Sequence, residues 1–358
     1  MSMLSSIPCF FPFYIRIFGR LEKQVMGYEK NMTGYVMDYT THLRKAVEIG
    51  KQAKFKVPAK SFQHVLVTGL GGSGIGGTIV SQLVQNEMKI PMLVNNDYGL
   101  PAYVGKDSLV IVSSYSGNTE ETLSSMEIAL ASGAEVACIT AGGRVLEIAK
   151  EKGLNYIQIP TGIPPRGSFG VNSPQLFYVL KQYGLIDGSF EKEILAAADM
   201  IDKDEEQMKS HASSMAEQIK DSIPVIYSDA AYNGVSIRLR QQVNENAKML
   251  CWHHVFPEMN HNELVGWAGG DKRFAVILMR TEGDHMRTQL RMNLSKAIFK
   301  KHTDTVVEMH AKGDTLIERS YYLVHLGDWL SVILADLKGV DAIEVDVIDF
   351  LKGELSKH

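Results

Sequence analysis

Short runs of β-branched residues alternate with longer amphipathic segments through most of this 358-residue chain. In the first half these runs predict strands at 65–68, 92–95, 109–113, 135–140 and 156–159. Helical patterns fill the gaps between them, at 75–85, 119–132 and 145–152. The alternation is typical of βαβ units, whose strands lie parallel. It predicts an α/β fold that binds its ligands at the carboxyl ends of the strands.

The same order begins again after a polar, helix-like segment at 191–222. Strands are predicted at 223–228, 249–254, 274–280 and 304–309, with helices at 233–248, 283–300 and 320–337. The second half therefore resembles a copy of the first at the level of architecture. We expect an extension of unknown role at 1–28, a first domain at 29–190 that opens with a helix at 29–50, a helical connector at 191–222 and a second domain at 223–358.

Two loops in the first half follow predicted strands and combine glycines with hydroxyl groups. Their sequences are Gly-Leu-Gly-Gly-Ser-Gly-Ile-Gly-Gly at 69–77 and Ser-Ser-Tyr-Ser-Gly-Asn-Thr-Glu-Glu-Thr at 113–122. Glycine lets backbone N–H groups approach a ligand closely, and a helix N-terminus, which follows each loop, favours an anion. The pair predicts one phosphate held by several hydroxyls. The corresponding second-half sequence, Arg-Thr-Glu-Gly-Asp-His at 280–285, suits an anion far less.

A dinucleotide site is an alternative interpretation of the first loop. Gly69, Gly71 and Gly74 satisfy the G-x-G-x-x-G pattern between a predicted strand and a predicted helix, with Asp97 further along the chain. The second hydroxyl loop argues against this interpretation, because a nicotinamide cofactor does not need it. A nucleotide-binding P-loop is excluded, since no Lys-Ser or Lys-Thr follows the glycines.

Three side chains outside these loops are candidates for chemistry. Arg166 lies in Thr-Gly-Ile-Pro-Pro-Arg-Gly-Ser at 161–168, where two prolines would stiffen the turn and hold a cation toward a sugar oxyanion or a phosphate. Glu245 lies in Asn-Glu-Asn-Ala-Lys at the end of a predicted helix. His261 lies in Pro-Glu-Met-Asn-His-Asn-Glu and could act as an acid or a base near neutral pH. A surface arginine and a solvated helix carboxylate remain the alternatives for the first two.

Charge and cysteine content narrow the classes of function. A formal net charge of −4 without a basic tract argues against nucleic acid as a partner. Cys9, Cys138 and Cys251 are widely spaced, and no His or Cys pattern predicts a zinc site, so we expect a reducing cytoplasm and no metal. The apolar stretch at 7–18 lacks the flanks of a signal peptide and is too short to span a membrane, so we expect no membrane partner.

Together these residues resemble the sugar isomerase (SIS) proteins, and among them the bifunctional phosphoglucose/phosphomannose isomerases. The resemblance to the superfamily rests on the two hydroxyl loops. The resemblance to the subgroup rests on three short motifs: Pro-Pro-Arg-Gly, Asn-Glu-Asn and Glu-Met-Asn-His-Asn-Glu. The resemblance spans residues 30–355 and leaves the N-terminal extension outside. It implies two tandem SIS subdomains, each a parallel sheet flanked by helices in a flavodoxin-like three-layer sandwich. It also implies a homodimer with the active site near the subunit interface.

The resemblance further implies roles for individual residues. The residues that match the sugar phosphate site are Gly72, Ser73, Ser114, Ser116 and Thr119. Glu245 matches the base that moves a proton between C1 and C2, and Arg166 matches the cation beside the enediolate. His261 matches the residue that opens the sugar ring, supplied by the partner subunit. Lys352, in Phe-Leu-Lys at 350–352, is the best match to a lysine near the family's C-terminus.

The implied reaction interconverts glucose 6-phosphate and mannose 6-phosphate with fructose 6-phosphate. It requires a base for the proton next to the carbonyl, a cation for the enediolate and an acid or base for the ring oxygen, so it needs neither metal nor redox cofactor. Another phosphosugar isomerase, acting on an amino sugar or a pentose phosphate, is one alternative, and Glu245 with His261 argues against it. A non-catalytic phosphosugar-binding regulator is another, and the absence of a basic arm or DNA-binding helix pair argues against that.

Overall fold

The computed structural model of the chain describes residues 31–357, so the extension at 1–28 lies outside the described residues. The helix expected at 29–50 also begins outside them, and its described part consists of α1 (Met32–Met37) and α2 (Tyr39–Gln52). Asp38 separates the two helices with φ of −79° and ψ of 0°, which departs from α-helical values. Asn31 caps α1, because its side chain accepts a hydrogen bond from the N–H of Gly34.

The first sheet contains five parallel strands. They are β1 (His64–Thr68), β2 (Met92–Asn95), β3 (Ser108–Ser114), β4 (Glu135–Thr140) and β5 (Asn155–Gln158), in the spatial order β2-β1-β3-β4-β5. The crossing helices are α3 (Gly71–Leu83), α4 (Glu120–Ala131) and α5 (Gly143–Glu151). Every residue of β1 and β3 is buried, as expected for central strands covered on both faces. This strand order is the flavodoxin-like one.

Two long helices follow the first sheet. In α6 (Phe169–Gln182) twelve residues in a row are buried, and the helix packs against α2 and α3. The second, α7 (Phe190–Ile219), is polar in sequence but buries an apolar stripe that includes Ile194, Ala197 and Ile201. Such a stripe is typical of an amphipathic helix against a core.

The second sheet contains four parallel strands. They are β6 (Ile223–Asp229), β7 (Trp252–Phe256), β8 (Phe274–Arg280) and β9 (Thr305–His310), in the spatial order β7-β6-β8-β9. The helices between them are α8 (Asn233–Ala247), the short α9 (Glu263–Gly266) and α10 (Met286–Phe299). Two parallel sheets flanked by helices confirm the predicted fold class.

The last two helices differ in how they pack. α11 (Leu316–Lys338) lies against both α7 and α8 and is largely buried. α12 (Asp346–Leu355) has no buried residue, and its Val347, Phe350 and Leu351 are 81%, 61% and 56% exposed. No helix within residues 31–357 has the length and apolarity that crossing a bilayer requires.

One strand begins later than its pattern predicts. β7 starts at Trp252 rather than at residue 249, because α8 ends at Lys248 in a left-handed conformation with φ of 55°. The Asn244 side-chain amide then donates to the carbonyl oxygen of Met249 at 2.7 Å, which holds the chain in a turn before the strand can pair.

Candidate active site

The two hydroxyl loops meet at the carboxyl ends of β1 and β3, where the order of the strands reverses. Open α/β sheets bind ligands at this point. The N–H of Tyr115 donates to Ser73 Oγ at 3.1 Å, which joins one loop to the other. A Cβ on Gly69 would lie 2.5 Å from the carbonyl oxygen of Ser113, so this close approach requires glycine.

Hydroxyl groups line the second loop. Ser114 Oγ donates to Thr119 Oγ1 at 3.2 Å and accepts from the N–H of Gly117 at 3.2 Å. Ser116 is exposed, and its Oγ accepts from the N–H of Asn118 at 3.2 Å. The loop therefore presents three hydroxyls within one turn of chain, beside the first loop.

Two helix N-termini add backbone donors to the same place. α3 begins at Gly71, earlier than the expected residue 75 and inside the first loop, and α4 begins at Glu120, near the end of the second. Neither N-cap residue, Leu70 or Thr119, makes a side-chain capping hydrogen bond. The first N–H groups of a helix without a side-chain cap can donate to an external acceptor, and the helix dipole favours an anion there. Of these groups in α3, the Ser73 N–H already donates to the carbonyl oxygen of Leu70 at 3.1 Å. Hydroxyls and backbone donors of this kind suit a phosphate group.

The turn that carries Arg166 packs onto both loops. It is a 3-10 turn (Pro165–Gly167), and a Cβ on Gly72 would lie only 2.7 Å from the carbonyl oxygen of Pro165. The hydroxyl of Tyr115, in the second loop, accepts a hydrogen bond at 2.9 Å from the N–H of Ile163 just before the turn. Burial raises the pKa of Tyr115, so the phenol stays protonated.

Arg166 contacts Glu245 across the boundary between the two halves. Its Nη1 lies 3.4 Å from Glu245 Oε2, its Nε donates to Asn246 Oδ1 at 2.7 Å, and its Nη2 donates to the carbonyl oxygen of Ala342. The arginine side chain is 8% exposed and the glutamate side chain 31%. A buried cation thus lies beside a partly open carboxylate, which is what a base needs when it works next to a developing anion.

Lys248 lies at the end of the helix that carries Glu245 and holds a neighbouring segment of chain. Its Nζ donates to the backbone carbonyl oxygens of Glu245, Asp341 and Glu344, at 2.8, 2.6 and 2.8 Å. The residue adopts a left-handed backbone, which is uncommon outside glycine. These bonds tie the chain at 341–344, which leads into α12, to the end of the helix that carries Glu245.

His261 lies apart from this group. It ends a 3-10 turn (Glu258–His261) after β7, is exposed, and has no hydrogen-bond or ion-pair partner within residues 31–357. The segment after it is anchored, because the Tyr227 hydroxyl donates to the Glu263 carboxylate and accepts from Trp267 Nε1 at 2.8 Å. The imidazole is therefore held at the surface by a fixed loop.

Lys352 is exposed on α12, and its ammonium makes no hydrogen bond or ion pair with the described part of the chain. Within one chain, then, contacts bring Arg166, Glu245 and the two loops together but do not bring His261 or Lys352 to them. Among the described residues no three His, Cys, Asp or Glu side chains cluster in a way that could hold a metal ion.

Sequence reasoning missed the residues that support these side chains. Asn172, in α6, donates through Nδ2 to Ser73 Oγ at 3.3 Å. Arg238, Gln242 and Asn246 repeat every four residues, so they lie on one face of α8, and all three are buried. Polar residues on a buried helix face are hydrogen-bonded, but the sequence shows only their four-residue spacing and not the burial of the face.

The amino-acid sequence is similar to those of known proteins. Residues 208–355 match the family model described as the bacterial phospho-glucose isomerase C-terminal SIS domain. The chain is 36% identical over 332 residues to the bifunctional phosphoglucose/phosphomannose isomerase of Caldicellulosiruptor bescii, a match that covers 90% of this chain and 98% of the relative. It is 37% identical to the protein of the same name from Aquifex aeolicus, over 83% of this chain and 92% of the relative.

The fold is shared more widely than the sequence. The solved C-terminal domain of glucosamine-fructose-6-phosphate aminotransferase from Francisella tularensis matches with a TM-score of 0.71 at 14% identity, over 89% of this chain and 99% of that domain. Together with the SIS family model, this likeness confirms the expected fold of two tandem SIS subdomains.

Proposed function

The chain belongs to the family of bifunctional phosphoglucose/phosphomannose isomerases and is therefore an isomerase of hexose phosphates, and we propose how its residues perform that reaction. Glucose 6-phosphate and mannose 6-phosphate are interconverted with fructose 6-phosphate by proton transfer through an enediol. The observation that supports this mechanism best is the 3.4 Å contact of Arg166 with Glu245. Arg166 lies on a turn that packs against the first of the two hydroxyl loops.

In this proposal the loops bind the 6-phosphate and the rest of the site works on C1 and C2. Gly72, Ser73, Ser114, Ser116 and Thr119 line the phosphate site. Holding the phosphate far from the reacting carbons orients them without adding charge there. Since both C2 epimers lose their C2 proton to give the same enediol, one site serves both aldoses.

Glu245 is the proposed base. Its carboxylate removes the proton from C2 of the open-chain aldose and returns it to C1, while the Arg166 guanidinium stabilises the enediolate oxygens. Arg166 is suited to this role because two neutral acceptors, the Asn246 amide and the Ala342 carbonyl, hold it in place. These two anchors fix the guanidinium without neutralising its charge.

His261 and Lys352 are proposed to complete the site in a homodimer. The exposed His261 would open the sugar ring in the partner's site, and Lys352 would supply a second cation. An apolar stripe on α10 beside the His261 turn supports this assembly, with Met286, Leu290 and Leu294 exposed by 76%, 44% and 60%. The Asn260 amide of that turn donates to Ser295 Oγ of α10 at 3.0 Å, which places the stripe and the turn side by side.

We place this activity in the cytoplasm. Cys138 and Cys251 are free thiols in the described structure, and burial raises the pKa of each to about 12. Inert, unpaired thiols of this kind suit a reducing compartment.

A coupled assay of fructose 6-phosphate formation from each aldose tests the proposal. Wild type should turn over both sugars, and Glu245→Gln should lose at least ~10²-fold in kcat, because the general base is gone while the side-chain shape is kept. EDTA should leave the activity unchanged.

Glu282→Gln is a suitable control, because Glu282 is an exposed carboxylate elsewhere in the second half and lies outside the His261 turn. Turnover of neither sugar by wild type would refute the proposed function in favour of an amino-sugar or pentose phosphate substrate or a non-catalytic regulator. Full activity of the Glu245 variant would mean that another group is the base.

A further inference from the structure

A buried ion pair lies beneath the Arg166 turn. Arg238, on α8, is 3% exposed and Asp328, on α11, is 5% exposed. Arg238 Nη2 lies 2.9 and 2.7 Å from the two carboxylate oxygens of Asp328, and the Gln242 side-chain amide donates to the same carboxylate at 2.8 Å. The pair is thus fully enclosed by protein and has a third polar partner.

The same guanidinium supports the backbone of the Arg166 turn. Arg238 Nη2 also donates to the carbonyl oxygen of Arg166 at 3.2 Å, and its Cζ lies 4.4 Å from the centre of the Phe169 ring. Phe169 is the first residue of α6, and only Ser168 separates it from the turn. Arg238 therefore contacts the chain on both sides of the point where the turn becomes a helix.

A second path from Asp328 reaches the Arg166 side chain. The Ser331 hydroxyl donates to the carbonyl oxygen of Asp328 at 2.7 Å, and the Asn246 amide donates to Ser331 Oγ at 2.9 Å. Asn246 Oδ1 in turn accepts from Arg166 Nε. One hydrogen-bonded network therefore holds both the backbone and the guanidinium of Arg166. Asp328 belongs to both paths, through its carboxylate in the first and through its backbone carbonyl in the second.

Stability alone does not explain why this ion pair is connected to the Arg166 turn. Buried pairs contribute little net stability, because the desolvation of both charges offsets their attraction. During the proposed reaction Glu245 becomes protonated, so the ion pair between Arg166 and Glu245 is lost at the moment when the enediolate forms. A cation held by neutral acceptors and a fixed backbone stays in place through that change.

We infer that Arg238, oriented by Asp328, is a positioning residue that fixes Arg166 for stabilisation of the enediolate. The inference rests on the proposed function of Arg166. Arg238 touches no reacting atom in this scheme, and its effect on the reaction passes entirely through the Arg166 turn.

The double variant Arg238→Met with Asp328→Asn tests the inference, because it removes both charges and leaves no lone buried ion. The side-chain amide of Gln242 still has an acceptor, because Asp328→Asn keeps one oxygen at that position. We expect kcat for fructose 6-phosphate to fall ~10²-fold while KM changes less than about threefold, since a small displacement of a catalytic group costs rate rather than substrate binding. Arg238→Lys, which keeps a charge beside Asp328 but cannot also reach the turn, should lose ~10-fold in kcat at nearly unchanged thermal stability.

Two phosphorylated ligands separate positioning from a general structural defect. A hydroxamate that imitates the enediolate should bind the double variant weaker by about the factor lost in kcat, whereas a hexitol 6-phosphate should bind as it does to wild type. Equal loss of affinity for both ligands would overturn the inference, because it would indicate a collapsed site. The Lys variant decides the matter if the double variant does not fold.

The matched control is Arg280→Met with Glu308→Gln, which removes an ion pair of 2.7 Å between β8 and β9. This control should keep wild-type kcat. Wild-type kcat in both Arg238 variants would refute the positioning role alone, since the isomerase would still be active. Failure of wild type to isomerise either sugar would refute the proposed function, and the inference with it.

Discussion

At the scale of single residues, Gly72 joins the proposed phosphate site to the turn that carries Arg166, the proposed catalytic cation. It is the second residue of α3, and the backbone of Pro165 in the Arg166 turn approaches the space where a side chain would begin. We expect Gly72→Ala to lower the free energy of unfolding by about 1–3 kcal/mol, because a 2.7 Å contact with backbone must be relieved by movement. The variant should also lose ~10-fold or more in kcat/KM, measured in the coupled assay, since the turn moves with Arg166.

Gly99→Ala is the control for this change. A Cβ at Gly99 meets no atom within 4 Å, so stability and activity should both stay at wild-type values. Equal effects in the two variants, or no effect in Gly72→Ala, would show that the loop and the turn are not mechanically joined.

His253, on β7, gives a pH dependence to stability. Burial, followed by the nearby charges of Arg240 and His254, lowers its pKa from 6.5 to about 4. As pH falls through this interval the unfolded chain takes up the proton before the folded chain does, so the free energy of unfolding falls. We expect wild type to lose about 2 kcal/mol more than His253→Gln between pH 6.5 and pH 4, less than the full linkage value because the ring is only partly buried.

Urea unfolding of both proteins at several pH values measures this difference. Parallel loss of stability in the two proteins would assign the acid sensitivity to other groups. Above about pH 7.5 His253 is neutral in the folded and in the unfolded chain, so the two curves should run parallel there.

The residues proposed for the site stand out in the sequence, but the residues that support them do not. A stiff Pro-Pro-Arg-Gly turn and a carboxylate among amides are unusual local patterns, so Arg166 and Glu245 are visible in the sequence. Arg238 and Asp328 lie in helices, where charged residues are normally at the surface. Only the packing of α8 against α11 shows that these two side chains are buried together.

At the scale of secondary-structure elements, Lys248 fastens the chain that leads into α12. Lys248→Met should release the carbonyl groups of Asp341 and Glu344 to solvent, at a cost of about 1–2 kcal/mol for the lost charged hydrogen bonds. We expect faster amide hydrogen exchange over 341–355, measured by mass spectrometry, and a reduced kcat, because Ala342 in this segment also holds Arg166.

Lys220→Met is the matched control, because Lys220 pairs with Glu217 one helical turn away on the surface. Such pairs contribute very little, so exchange and kcat should not change. Unaltered exchange over 341–355 in the Lys248 variant would show that α12 is positioned by other contacts.

Elements with an alternating pattern were predicted better than those without one. The strands of the first sheet lie within a residue of their expected bounds, because β-branched runs between polar segments are distinctive. α6 was missed for the opposite reason: it is buried on all sides, so it has no polar face, and it contains Pro174, which usually ends a helical pattern.

At the scale of the whole molecule, the two halves differ where their sheets are equivalent. Beyond β6 and β8, the Asp284 carboxylate accepts from the N–H and the hydroxyl of Thr281 at 2.9 and 2.7 Å. A Cβ on Gly283 would lie 2.6 Å from the guanidinium carbon of Arg319. In the second half, side chains such as those of Asp284 and Arg319 thus occupy the space at the carboxyl ends of the strands. We propose that this half instead contributes Glu245 to the site formed by the first half.

Mixing two inactive variants tests whether the site is also shared between subunits. If His261 works in the partner's site, a heterodimer of Glu245→Gln and His261→Ala has one site with both defects and one site with neither. Unfolding and refolding an equal mixture should restore about a quarter of wild-type activity, since half of the dimers are mixed and each has one intact site. Light scattering should report a dimer throughout.

Refolding each variant alone provides the control and should restore no activity. An inactive mixture of well-folded dimers would mean that His261 serves the site of its own chain, and activity of the His261→Ala dimer alone would mean that it serves no site.

The contacts of the Arg166 turn with Asn246 and Ala342 also bear on biosynthesis. The phosphate loops, at 69–77 and 113–122, leave the ribosome long before residue 342 does, and domains fold in order of synthesis. A nascent chain can therefore complete its first sheet while Arg166 still lacks its partners from the second half. Under the proposed function, a chain that stops before residue 342 would keep the proposed phosphate site but would lack one of the two anchors that hold Arg166 for the reaction.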